Sequence, residues 1–262
     1  MNAWTGLVFT FKSYYVPIWK HKRTRVFIFF SLLPLLITML VYFAGISTGL
    51  RGTWQGEIYF SNFLAYYLQF FSPLLALFTG VSLLGDEIDD RTIIYLTGSA
   101  FPRFSILTGK FLALSSVMIL VAFAGFLPAM LLTGMVLDRS AVFLETVNAG
   151  GVLALSTLAY CALFTFLGIF MKRAVLFGLL LVFGWENVVQ YLPGLTQKLT
   201  VNYYVKSLLP NLQQSKGPFA FLMQPATPLA ALLVLLFIAL IFLFAAGLIF
   251  SFREYGSQTV ND

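Results

Sequence analysis

The stretch GDEIDDRTIIYLTGSAFPRFSILTGK, from Gly85 to Lys110, is the polar exception in a chain made of apolar runs. It carries Asp86, Glu87, Asp89 and Asp90, four of the ten acidic residues in the whole sequence. Directly before it stands FSPLLALFTGVSLL (Phe71–Leu84), and directly after it FLALSSVMILVAFAGFLPAMLL (Phe111–Leu132). A charged segment pressed between two such runs reads as a loop joining two membrane spans.

The rest of the chain supports that reading. Of 262 residues, 60% are hydrophobic and only 10% are charged. A water-soluble domain of this length needs far more polar surface, because much of its area must face water. Crossing a bilayer takes about 20 apolar residues of helix. Six runs reach or approach that length: Val26–Ile46, Tyr59–Leu84, Phe111–Leu137, Ala149–Met171, Ala174–Leu192 and Pro228–Phe252. Strand-period alternation is absent, which excludes a β-barrel pattern. The expected fold class is therefore an all-α polytopic membrane protein with six transmembrane helices in a single domain over residues 1–262.

The net charge of +6 raises the question of nucleic acid. The Lys and Arg residues, however, cluster beside the apolar runs, where they set topology and meet anionic headgroups. With the N-terminus in the cytoplasm, the inside segments hold eleven of the sixteen Lys and Arg residues and the outside segments hold five. Both termini are then expected inside, and Gly85–Lys110 becomes an inner loop. The expected partners are membrane lipid and protein, not nucleic acid.

Two further segments have patterns of their own. In the leader, residues 1–25, Trp4, Leu7, Val8, Phe11, Tyr15 and Ile18 share one helical face, with Lys12 off its edge. Such a helix is expected to lie in the headgroup plane, with Pro17 and HKRTR (His21–Arg25) turning it into the first span. Residues 193–227 contain Pro193, Pro210, Pro218 and Pro225, yet Val201–Leu209 and Phe219–Met223 are apolar or aromatic. An outer re-entrant or interfacial segment between the fifth and sixth runs fits this better than a free loop.

Catalytic chemistry is missing. There is no G-x-x-x-x-G-K-[ST] phosphate loop and no HExxH, and His21 is the only histidine. No metal, cofactor or catalytic residue is assigned to this chain, and it is not expected to be an enzyme. The four acids lack the spacing of a calcium loop. Placed before Thr92-Ile93-Ile94-Tyr95-Leu96, they suit the positive end of a short helix that Gly98 and Pro102 would close. A helix with acid at one end and base at the other suits docking into a partner's groove.

Glu186 is the one acid deep in an apolar run. It follows Arg173 by thirteen residues, which on a straight helix is roughly 20 Å, beyond the midplane of a core about 30 Å thick. Asn187 and Gln190 are close by, and Gln190 shares its face. An ionised carboxylate facing lipid there would cost several kcal/mol. The side chain must be protonated, paired, or turned toward a wet cavity; the last is expected, which makes Glu186, Asn187 and Gln190 a candidate lining for a translocation path. The other placement has a short fifth span, with Glu186 capping it at the outer headgroups.

The inner loop resembles the first cytoplasmic loop of ABC-2 type transporter permeases, E-x-x-x-G-T-L-x-x-L-L-x-x-P-x-x-R-x-x-I-x-x-G-K. Glu87, Thr92, Leu96, Arg103, Ile106, Gly109 and Lys110 fall in register with it. Arg91 stands at the glycine position, and Pro102 lies two residues past the usual proline site, Ala100. Six spans, an amphipathic leader, inner termini and a broken outer segment extend the likeness over nearly the whole chain.

What the resemblance implies is specific. The chain would be the permease subunit of an ATP-driven ABC exporter in the inner membrane of a prokaryote, acting as a homodimer or with a similar permease. The loop would be its coupling helix, with Asp86, Glu87, Thr92, Leu96, Arg103, Gly109 and Lys110 meeting a separate ATPase subunit that binds ATP and Mg. Two other classes stand beside it: an ATP-independent channel or secondary transporter, and a membrane scaffold anchoring a cytoplasmic complex. Against the former, the spans carry almost no ionisable residues besides Glu186.

Overall fold

The structure, a computed structural model, describes residues 3–48, 61–89, 102–137, 142–189, 195–209 and 225–252. The described residues are almost entirely helical. We number the helices α1 (Ala3–Lys20), α2 (Lys22–Thr48), α3 (61–89), α4 (Arg103–Leu137), α5 (Val142–Phe170), α6 (Ala174–Val189), α7 (Val201–Leu208) and α8 (Pro228–Phe252).

Five of these, α2, α3, α4, α5 and α8, contain stretches long and apolar enough to cross a membrane. Of the fifth apolar run, expected over Ala174–Leu192, the described part is a helix over Ala174–Val189, and residues 190–192 lie outside the described residues. Helix α6 is also wound as a π-helix over Leu180–Glu186, and the side chain of Asn187 donates to the Val182 carbonyl at 2.9 Å.

Burial in this bundle follows the logic of lipid rather than of water. Helix α8 hides one stripe, Ala231, Leu235, Ala239, Ala246 and Phe250, and exposes Leu229, Leu233, Phe237, Leu240 and Phe244. An apolar outer face costs nothing against acyl chains, so the helix is hydrophobic all round. Helix α2 is polar on the inside: Thr24, Ser31 and Thr38 are buried, while Val26, Phe29, Phe30 and Leu40 are exposed. With little hydrophobic gain between helices in lipid, close packing and interhelical hydrogen bonds hold them together. Ser31 Oγ donates to the Val121 carbonyl at 2.9 Å, and Tyr67 Oη donates to the Ser31 carbonyl at 2.6 Å. Gly125 makes that crossing possible, since a Cβ there would lie 1.9 Å from the Ser31 carbonyl oxygen. Ser72 of α3 meets Ser156 and Thr157 of α5 at 3.3 and 3.1 Å, in a second buried polar crossing.

Helices α4 and α5 are the centre of the bundle. Helix α3 packs on α5, α8 packs on α5, and both α1 and α2 pack on α4. At 35 residues α4 is about 52 Å long, well beyond a core of about 30 Å. Its first turns therefore project past the membrane-spanning part or the helix tilts strongly, and α1 packs against that end.

The leader is helical, as its stripe predicts, and the turn falls in the HKRTR stretch rather than at the proline. Pro17 lies inside α1 and the break comes at His21, where Thr24 Oγ1 donates to the Ile18 carbonyl at 2.7 Å. Three of the four acids lie at the end of a helix: α3 runs on through Asp86, Glu87 and Asp89. Acids at a helix C-terminus oppose its dipole, and the compensation is found in the site below. The helix expected over Thr92–Leu96 lies outside the described residues.

Candidate functional site

The base of the charged loop is tied together by one cluster. Glu87, on the last turns of α3, forms an ion pair with Lys110 of α4 through both carboxylate oxygens. Tyr14 of α1 donates its hydroxyl to Glu87 Oε1 at 3.0 Å, and the Lys110 ammonium sits 4.1 Å from the centre of the Tyr14 ring. Lys110 is wholly buried and Glu87 is 22% exposed. The two ends of the loop, twenty-three residues apart in sequence, are thus clamped to each other and to the leader. Burial first, and then the Glu87 carboxylate, push the Tyr14 phenol above its ordinary value, so it remains a neutral donor.

The neighbouring residues explain how the cluster closes. A Cβ at Gly109 would lie 2.8 Å from the Leu7 carbonyl oxygen and 2.9 Å from Thr10 Cβ. Only glycine lets α1 approach α4 closely enough for Tyr14 to reach Glu87. Thr10 turns its own hydroxyl inward to the Gly6 carbonyl at 2.7 Å, which hides its polarity at the contact. Arg103, at the start of α4, donates to the Ser251 carbonyl at 3.0 Å, near the C-terminal end of α8. That contact joins a cation to a carbonyl in the last described turn of α8.

Of the residues singled out in the loop, Glu87, Arg103, Gly109 and Lys110 are therefore placed at one end of the bundle. Thr92 and Leu96 lie outside the described residues, as does the side chain of Asp86. Tyr14 was not singled out by the sequence. The hydrophobic stripe takes in Tyr15 but not its neighbour, and no local pattern pairs a leader tyrosine with a glutamate 73 positions on.

At the opposite end, Glu186 is 3% exposed. Its Oε1 accepts from the Val201 amide and its Oε2 from the Asn202 amide, both at 3.0 Å. These are the first amides of α7, whose Thr200 caps it by accepting from the Tyr203 amide at 3.3 Å. A carboxylate on unpaired helix amides satisfies both the orphan donors and the dipole. Glu186 thus has a defined protein partner. Asn187 is bonded within α6, and Gln190 lies outside the described residues. Helix α7 buries Val201, Asn202, Tyr203, Val205 and Ser207 and packs on α8 and α5. Part of the proline-rich segment is therefore docked into the bundle; Phe219–Met223 lies outside the described residues.

Comparison with known proteins adds one positive finding. Among curated proteins, none matches the chain. A family model described as ABC-2 family transporter protein matches residues 15–186, about two thirds of the sequence, from the leader through all of the charged loop to Glu186. With its apolar helices, its clamped loop and this match, the chain belongs to the ABC-2 family of transporter proteins and is a multi-pass membrane permease of the ABC type.

Proposed function

We propose that this permease is the transmembrane subunit of an ATP-driven exporter, working as a homodimer in the inner membrane of a prokaryote with both termini in the cytoplasm. A separate ATPase subunit, carrying ATP and Mg, docks on the loop between Glu87 and Arg103. The chain itself performs no bond chemistry.

The observation that carries this reading is the Glu87–Lys110–Tyr14 clamp. A loop that passes force needs stiff roots. Here one root is an ion pair on a buried ammonium, and Arg103 fastens the start of α4 to the end of α8. Displacement of the loop would then move α3, α4, α1 and α8 together instead of bending a flexible hinge. Within this reading, contacts to the partner fall to Asp86, Thr92 and Leu96, while Glu87 and Lys110 hold the frame. Glu186, Asn187 and Gln190 belong to the outer end of the path, where Glu186 holds α7 in place.

Thr92 and Leu96 are the clean probes, because changing Glu87 would also break the clamp. In the full complex, Thr92→Arg and Leu96→Glu should each lower recovery of the ATPase with the permease about tenfold or more. Thermal unfolding of the isolated permease should not change. Parental recovery and parental ATP turnover in both variants would remove the loop from the mechanism.

A further inference from the structure

At the end of the bundle that carries the clamp there is a cavity of about 650 Å³, within the range of sites that hold small molecules. One wall is the α3 face formed by Phe78, Val81, Ser82 and Gly85, spaced i, i+3, i+4 and i+7. The other walls come from the end of α5 and the start of α6, where Ile169, Val175 and Leu176 keep the lining apolar. Three cations stand on it: Arg23 from the start of α2, and Lys172 with Arg173 from the turn between α5 and α6. All three are exposed, and no acidic side chain lines the cavity among the described residues.

Two features together select the ligand. A soluble anion would use the cations and leave the apolar walls wet, whereas a neutral hydrophobe would fill the walls and make no use of Lys172 and Arg173. A molecule with an anionic head and an apolar chain uses both. Val175 and Leu176 line the cavity, and Phe177 and Leu180 further along α6 are exposed outside its lining, so the site lies beside a surface that acyl chains can cover. Basic groups at this level attract anionic lipid, and guanidinium forks match phosphate oxygens.

We propose that this cavity binds an anionic phospholipid, its phosphate held by Lys172 and Arg173 with Arg23 opposite, and the first part of one acyl chain laid along the Phe78–Gly85 face. The site goes beyond the coupling reading and stands without it, since a permease with no ATPase attached would still bind the lipid.

The test uses the full-length protein in detergent, titrated with phosphatidylglycerol or phosphatidylcholine and read by native mass spectrometry. The parent should retain phosphatidylglycerol over phosphatidylcholine. Lys172→Ala/Arg173→Ala should weaken that retention about tenfold or more. Lys12→Ala/Lys198→Ala removes the same charge from exposed positions away from the cavity and should leave retention unchanged. Gly85→Leu supplies a second arm: among the described residues a Cβ at Gly85 meets nothing within 4 Å, so the larger side chain fills the cavity without crowding the described helices. It should abolish retention with no loss of thermal stability. Equal retention in the parent and both cavity variants overturns the proposal. So does displacement of the lipid by millimolar glycerol phosphate or inorganic phosphate, which would make this a site for soluble anions. A shift from dimer to monomer in the cavity variants with unchanged lipid retention would make it a contact between copies, and overturns it equally.

Discussion

Changing Glu87 to Gln keeps its shape but removes the charge that answers a wholly buried ammonium. Breaking a buried pair from one side costs about 3–5 kcal/mol, because the remaining charge is stranded. The Tyr14 ring stays over the ammonium and returns part of that, up to about 2 kcal/mol for a desolvated cation–π contact. The expected loss for Glu87→Gln is therefore about 3 kcal/mol. Lys110→Met strands the other partner, but Glu87 is 22% exposed and keeps the Tyr14 hydroxyl, so its loss should be about 1 kcal/mol. The double variant leaves no unpaired charge and should also lose about 1 kcal/mol, which gives a coupling of about 3 kcal/mol. For a chain of this size Glu87→Gln should lower Tm by roughly 6–12 °C and the double variant by much less. Thermal unfolding of the purified permease in detergent reads this directly, with Trp19 of α1 packed on the core as the reporter. If the two single losses are equal, or simply add in the double variant, the pair is not what holds the loop.

Two other outcomes follow from close contacts. Gly125→Ala should destabilise the bundle by about 1–3 kcal/mol, since the added Cβ would lie 1.9 Å from a carbonyl oxygen, whereas Gly85→Ala enters open space and should gain up to about 1 kcal/mol of helix propensity; equal Tm values would refute the Gly125 crossing. Glu186→Gln retains one acceptor for two amides and should cost about 2 kcal/mol, read as roughly thirtyfold faster hydrogen exchange at the Val201 and Asn202 amides; unchanged exchange at both would mean that Glu186 does not hold α7.

Much of the architecture was legible because lipid imposes a strong, local signal. A run such as Pro228–Phe252 has only one low-energy arrangement in a bilayer, and α8 has the same limits in the structure. The register of Glu87, Arg103, Gly109 and Lys110 was legible as well, since the loop motif is contiguous in sequence. What the polar residues touch was not. Glu87 and Lys110 read as contacts for a partner; that they also pair with each other was not legible, because it depends on α3 and α4 meeting at the same end. Glu186 read as a group lining a path, or capping a short span. That its two oxygens meet the amides fifteen and sixteen residues later, at the start of α7, was not legible either.

The sequence alone determined that this chain is a helical membrane protein with one charged loop and none of the common catalytic motifs, because length, hydropathy and charge act residue by residue. Only the tertiary structure decided that Tyr14 completes the loop's base, that Glu186 meets the first amides of α7, and that Arg23, Lys172 and Arg173 face one cavity. Those facts depend on which helices lie side by side. In lipid that choice rests on small residues and single hydrogen bonds at the crossings, such as Gly125 under Ser31 and Gly109 under Leu7, and such contacts leave no periodic trace in the sequence.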